Sequence, residues 1–240
     1  MKTIGVIAEY NPFHLGHLYQ IQKIRELYPD SVIIAIVSTN FTERGEISLL
    51  NKWDKAKICL EYGIDLVVEL PTLYAIQSAD IFAYGALKIL NSFHIDTLVF
   101  GTESDNVREL WELANTQINN QEYDLLVKNY LNEGINYPTA TSKALFRLTN
   151  IKIDKPNDLL ALSYIKEIIK NNYAITPVSI KRTNDYHGTE NKVTYKKFNM
   201  RSTKPCACMY AVRMLIVRIS SKLTGRDFRP RFIHHRHMRG

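Results

Sequence analysis

Cysteine is scarce in this 240-residue chain, which has only Cys59, Cys206 and Cys208. So small and odd a count supports neither a disulfide framework nor a cysteine-rich zinc module, and it fits a reducing compartment. Long apolar runs are lacking as well: no window nears the roughly 18 uncharged apolar residues that a membrane span requires. The opening MKTIGVIAEYNPFH turns polar and aromatic too early for the apolar region of a secretory signal. The expectation is a cytoplasmic protein without a membrane partner. Two glycine patterns are missing too, Gly-x-Gly-x-x-Gly and Gly-x-x-x-x-Gly-Lys-Ser/Thr, which removes the signals of dinucleotide and P-loop sites. What is present, 45% hydrophobic residues, suffices for one globular domain with a sizeable core and room for a small second unit.

Acidic residues are scarce only at one end. The chain carries a net +7, yet residues 1–190 carry a net −5 and residues 191–240 a net +12. An argument from basic charge to nucleic acid therefore concerns the last fifty residues alone. This divides the chain into an expected domain over 1–190 and a basic, irregular tail over 191–240. In that tail, Met209–Ile219 reads as helix or strand, and 226–240 reads as added or disordered.

Along the first part, β-branched runs alternate with helical patterns. Thr3–Ala8 reads as a strand, Gly16–Tyr28 as a helix, and Ser31–Ser38 as a strand buried on both faces. Lys52–Tyr62 (helix), Ile64–Glu69 (strand), Ser78–Phe93 (helix) and Thr97–Gly101 (strand) follow. Asn106–Leu131 reads as one helix, Asn136–Asn150 as a loop with a short helix, Asn157–Asn171 as a helix, and Tyr173–Lys181 as a fifth strand. Such alternation implies an α/β class with a Rossmann-like, doubly wound parallel sheet and ligands at the carboxyl ends of its strands.

The sharpest motif, Glu9-Tyr10-Asn11-Pro12-Phe13-His14-Leu15-Gly16-His17, spans the end of the first strand and the start of the first helix. Gly16 lets a ligand approach the backbone, and unpaired N–H groups at the helix start would welcome phosphate. His14 and His17, three apart, can both meet charge that grows on a departing pyrophosphate. Such a site works by electrostatics and positioning. Two histidines alone also fit a partial metal site or ordinary surface positions, but no third metal ligand is identifiable by spacing. Cys59, among apolar neighbours, reads as packing rather than a nucleophile.

Together with that motif, NFTERGE (Asn40–Glu46), NKW (Asn51–Trp53), DLVVELP (Asp65–Pro71), QSADIFAYGA (Gln77–Ala86), VFGTES (Val99–Ser104) and KPNDLLALSYIK (Lys155–Lys166) follow in one order. In this, residues 1–190 resemble the tRNA(Met) cytidine acetate ligases, nucleotidyltransferases with a His-x-Gly-His motif. The resemblance implies ATP-dependent activation of acetate as acetyl-adenylate, then acetylation of N4 of the wobble cytidine of elongator tRNA(Met). It implies His14 and His17 as catalytic residues. It also implies a nucleotide site of Ile7, Ala8, Glu9, Tyr10, Asn11, Pro12, Phe13, His14, Leu15, Gly16, His17, Leu18, Tyr19 and Gln20, with Gly101, Asn157 and Arg182. By itself Asn157 reads equally as a helix N-cap and Arg182 as a solvated charge. A Glu9 carboxylate beside ATP phosphates calls for an intervening cation, so Mg2+ is expected with ATP, without a protein metal site. Asn40, Arg44 and Lys52 lie where they can meet substrate or tRNA, or simply solvent.

The sequence departs from the family at Thr39, where glycine is usual, and at Leu15, where a polar residue is common. After His187-Gly188 the resemblance is lost, which together with the charge swing suggests a frame-shifted or otherwise altered terminus. Cys206-Ala-Cys208 and His234-His235-Arg236-His237 make a poor zinc signal. Two other readings stand beside the ligase: a small-molecule adenylyltransferase of cofactor biosynthesis, and a truncated RNA-binding relic working through its tail. No pattern in the sequence sets an oligomeric state.

Overall fold

The computed structural model describes residues 1–182. The expected boundary at 190 and the readings of Met209–Ile219, 226–240, the cysteine pair and the histidine cluster lie outside them. The β-branched runs form five strands: β1 (Thr3–Ala8), β2 (Val32–Ser38), β3 (Leu66–Leu70), β4 (Thr97–Thr102) and β5 (Thr176–Lys181). All pair in parallel, in the order β3-β2-β1-β4-β5. Between them run α1 (Leu15–Leu27), α2 (Lys52–Glu61), α3 (Thr72–Ala75), α4 (Ala79–Ser92), α5 (Val107–Asn119), α6 (Gln121–Asn132), α7 (Tyr137–Thr149) and α8 (Pro156–Lys170). The doubly wound α/β expectation holds. No helix among the described residues is long and apolar enough to cross a membrane.

Strand β2 is buried from Ile33 to Ser38, as a strand covered on both faces must be. On one face Ile21 and Ile24 of α1 and Ile58 and Cys59 of α2 join Ile4, Val6, Ile33, Ala35, Val37 and Val67 in a single core. Burial pushes the Cys59 thiol up to about 12, so it packs rather than reacts, as expected.

Two sequence expectations fail, both at asparagines. The helix expected over Asn106–Leu131 breaks at Asn120, whose extended backbone ends α5 while its side-chain oxygen accepts the Glu122 N–H at 2.9 Å and starts α6. A cap of this strength wins over helix continuation. The short helix expected in Asn136–Asn150 is α7, 13 residues long. Asn136 caps it through the Thr139 N–H at 3.0 Å, and Asn150 ends it with φ 58°, a left-handed stop that asparagine tolerates.

The chain runs β1-β2-β3 in one direction from the centre, and β4 then returns to the other side of β1. At this reversal β1 and β4 pair only through Ile4 with Thr97 and Gly5 with Leu98. Beyond those pairs the strands part, opening a cleft at their carboxyl ends where such sheets bind ligands. Lys55, 2% exposed, braces one side of it: its Nζ donates to the Glu9 carbonyl at 2.8 Å and the Ser38 carbonyl at 2.9 Å. It thereby ties the ends of β1 and β2. Lys55→Met, which keeps the stem and loses both charge-assisted bonds, is expected to lower unfolding free energy by about 2–4 kcal/mol in denaturant titration. A loss under about 1 kcal/mol would contradict the bracing role.

Candidate nucleotide site

The cleft between the parted strands encloses about 980 Å³. Its walls come from the β1 end and the start of α1 on one side, and from α4, α8 and the residue after β5 on the other. After β1 the chain turns sharply, with Tyr10 at φ 47° followed by a cis Asn11–Pro12 peptide. Tyr10 and Phe13 then drop into the core, each 1% exposed. Phe13 stacks on Tyr62 with centroids 5.0 Å apart, and Tyr10 meets the His17 ring edge-on at 4.7 Å. Apolar burial thus anchors the segment that carries the histidines.

His14 is the N-cap of α1, and its Nδ1 accepts the Gly16 N–H at 3.1 Å. His17 reciprocates, its Nδ1 accepting the His14 N–H at 3.2 Å. Two imidazoles here form the capping box that Ser and Glu form elsewhere. Their rings stack with centroids 3.6 Å apart. A nitrogen that accepts from the backbone carries no proton, so both rings are held as the Nε2–H tautomer. Burial, then His14, then Arg182 hold the His17 imidazole well below its ordinary value of 6.5, favouring the neutral ring.

This cap corrects one expectation. The Gly16 N–H is committed to His14, while the His17 and Leu18 N–H groups donate to the His14 carbonyl. These amides are therefore not left over for phosphate. Gly16 and Tyr19 line a small pocket of about 30 Å³ that adjoins the cleft and shares His17, Gln20, Gly101 and Arg182 with it. The motif also presents two imidazoles at the cleft.

Of the expected nucleotide residues, the cleft brings together Ile7, Ala8, Glu9, Tyr10, Asn11, Pro12, His14, His17, Gln20, Gly101, Asn157 and Arg182. Phe13 is core, Leu15 is 39% exposed, and Leu18 and Tyr19 pack against the core cluster. Helical geometry turns successive residues of this segment to different sides. Asn157 is not a cap: Lys155 holds that position, and Asn157 lies inside the first turn of α8. Its Nδ2 donates to Glu103 at 2.6 Å, and its Oδ1 accepts from Arg182 Nη1 at 3.4 Å. Nor is Arg182 a free surface charge. Its N–H donates to the Thr102 carbonyl at 2.8 Å, and its Cγ would lie 3.3 Å from any Cβ at Gly101.

Glu9 and Asn11 clasp the loop after β2. Glu9 Oε1 accepts the Glu43 N–H, and Asn11 Oδ1 accepts from Ser48 Oγ at 3.1 Å and the Leu49 N–H at 2.7 Å. Lys52 pairs with Glu69 at 3.0 Å, and Thr39 donates to the same carboxylate at 2.6 Å. Arg44 lines the cleft; Asn40 is exposed outside its lining. Among the described residues no group of three His, Cys, Asp or Glu side chains can hold a metal ion. Among the described residues Glu9, Glu43 and Glu46 are the carboxylates lining the cleft, and one Glu9 oxygen already accepts the Glu43 N–H. Sequence reading missed Glu103, although it lies two residues beyond Gly101, and the apolar wall of Phe82, Phe100, Leu160 and Tyr164.

The family described as HIGH Nucleotidyl Transferase matches residues 1–202. The chain belongs to this family. It is 46% identical over 185 residues to the tRNA(Met) cytidine acetate ligase of Mesomycoplasma hyopneumoniae strain J, covering 77% of this chain and 58% of that protein. To the enzyme of the same name from Geobacillus sp. strain WCH70 it is 42% identical over 191 residues, covering 78% of this chain and 48% of the other. The crystal structure of Thermotoga maritima TmcAL bound with alpha-thio ATP superposes with a TM-score of 0.72 and 36% identity, covering 76% of this chain and 47% of that one. The chain thus spans about half the length of the relatives it matches.

The depressed His17 value has a pH signature. Below about 6.5 the unfolded chain takes up a proton that folded His17 refuses, so stability falls as pH falls from there toward the folded value. In His17→Gln, whose amide oxygen can still accept the His14 N–H, the unfolding free energy is expected to fall less steeply below pH 6.5. Identical slopes for the two proteins would contradict a neutral, half-buried His17.

Proposed function

We propose that this chain carries the ATP-using half of a tRNA(Met) cytidine acetate ligase. It activates acetate as acetyl-adenylate, and the acetyl group passes to N4 of the wobble cytidine of elongator tRNA(Met). The observation that carries this reading is the pair of mutually capped imidazoles beside Arg182, in the cleft between β1 and β4. The substrates come from the names of the curated relatives, and ATP from the bound analogue of the Thermotoga maritima protein.

In the first step an acetate oxygen attacks the α-phosphorus, and the bond from that phosphorus to the bridging oxygen of pyrophosphate breaks. Negative charge grows on the leaving group. His14 and His17, each carrying its proton on Nε2, donate toward it, and the Arg182 guanidinium neutralises it. These donors are preorganised by the cap and by Gly101, so little rearrangement is needed as charge develops. In the second step the N4 amine forms a bond to the acetyl carbonyl carbon, AMP departs with the former acetate oxygen, and N4 loses a proton. Mg2+ bound with ATP would offset charge on the phosphate oxygens, and no residue of this chain is assigned to it. Residues 191–240, at net +12, have the charge to meet tRNA phosphates.

Acetate-dependent exchange of labelled pyrophosphate into ATP, without tRNA, isolates the first step. The full chain is expected to catalyse it, and His17→Ala to lose at least about a hundredfold, the scale of one lost oxyanion donor. ATP binding without acetate-dependent exchange would overturn the acetate assignment. Gly101→Val forces the Arg182 stem aside and is expected to weaken ATP binding about tenfold, with little change in unfolding midpoint. Unaltered affinity would remove Arg182 from the site.

A further inference from the structure

Behind the cleft, and outside its lining, Glu103 lies at the turn that follows β4. Its Oε1 accepts the Asn157 amide N–H at 2.6 Å, across 54 residues of sequence. The turn is gripped a second time by the next residue of α8: Asp158, 5% exposed, accepts the Glu103 and Ser104 N–H groups on one oxygen at 3.0 and 3.2 Å. Adjacent residues of one helical turn therefore hold the side chain and the backbone of the same segment.

We infer that Glu103 is a positioning residue of the nucleotide site, acting through Asn157 on Arg182. The inference rests on the nucleotide reading proposed above. A carboxylate only accepts hydrogen bonds, so it can pair only with the NH2 side of the Asn157 amide. That fixes the other side: Oδ1 faces Arg182 Nη1 at 3.4 Å and borders the cleft. Were the amide reversed, its NH2 would confront the guanidinium, donor against donor, and Arg182 would lose this contact. Arg182 is then located from three directions, by the Thr102 carbonyl at its backbone, by Asn157 at its guanidinium and by the missing Cβ of Gly101 beneath its stem.

The other Glu103 oxygen, Oε2, is buried and has no hydrogen-bond partner among the described residues. Such a group costs stability, and where it persists it calls for an explanation. Fixing the Asn157 amide supplies one. A glutamine would preserve shape and one acceptor, but it weakens the charge-assisted bond and can turn its own NH2 toward Asn157.

The test is a double-mutant cycle on the full 240-residue chain, with ATP affinity read by calorimetric titration and unfolding midpoints recorded for each protein. Glu103→Gln and Asn157→Ala are each expected to weaken ATP binding roughly tenfold. The double variant should bind as Asn157→Ala alone does, because Glu103 acts through that residue. A general structural role would weaken binding in both backgrounds, so additivity overturns the proposal, as does wild-type affinity in Glu103→Gln. Should Glu103→Gln not fold, Glu103→Asp takes its place in the cycle under the same criteria. A wild-type chain without ATP affinity overturns the nucleotide reading together with the role of Glu103, whereas wild-type affinity left intact by Glu103→Gln overturns only the latter.

Discussion

The reciprocal cap between His14 and His17 is the constraint on which the site depends. Each ring uses Nδ1 to satisfy a backbone N–H at the start of α1, and each is thereby committed to one tautomer. One pair of hydrogen bonds does three things at once. It starts the helix, it sets the rings face to face, and it decides which nitrogen of each imidazole holds the proton. This accounts for the i, i+3 spacing of the two histidines, which is that of a capping box. Protonation at Nδ1 would break the cap, so the neutral state suited to hydrogen-bond donation from Nε2 is also the state that keeps the helix start intact.

The fold serves this pair by bringing charge to it from distant sequence. Parting of β1 and β4 after two paired residues makes the space, and β5, packed alongside β4, delivers Arg182 to its rim. The polar residues at the end of β1 serve the frame. Glu9 and Asn11 bind the loop after β2, and Lys55 locks the two strand ends from below. The Glu43 N–H engages Glu9 and the Asn157 amide engages Glu103, so each carboxylate ties together segments distant in sequence.

Much of this was legible in the sequence because it depends on local pattern. The β-branched runs, the helices at Gly16–Tyr28 and Lys52–Tyr62, and the strand-end placement of Gly101 needed only periodicity and turn residues. The family resemblance supplied Asn157 and Arg182. What escaped was pairing. That the Gly16 amide is used within the cap depends on histidine rotamers, and that Asn157 answers to Glu103 depends on α8 returning to the end of β4. Asn120 and Asn136 were misjudged for a related reason, since asparagine favours both turns and caps and only the fold decides between them.

The most direct test of this account is the nitrogen NMR spectrum of the histidine side chains at neutral pH, assigned to His14 and His17 by substitution. Pyridine-like Nδ1 and pyrrole-like, protonated Nε2 signals are expected for both rings, with His17 remaining neutral at a pH where ordinary histidines are charged. Protonated Nδ1 on either ring, or a charged His17 at neutral pH, would contradict the reciprocal cap and the chemistry derived from it.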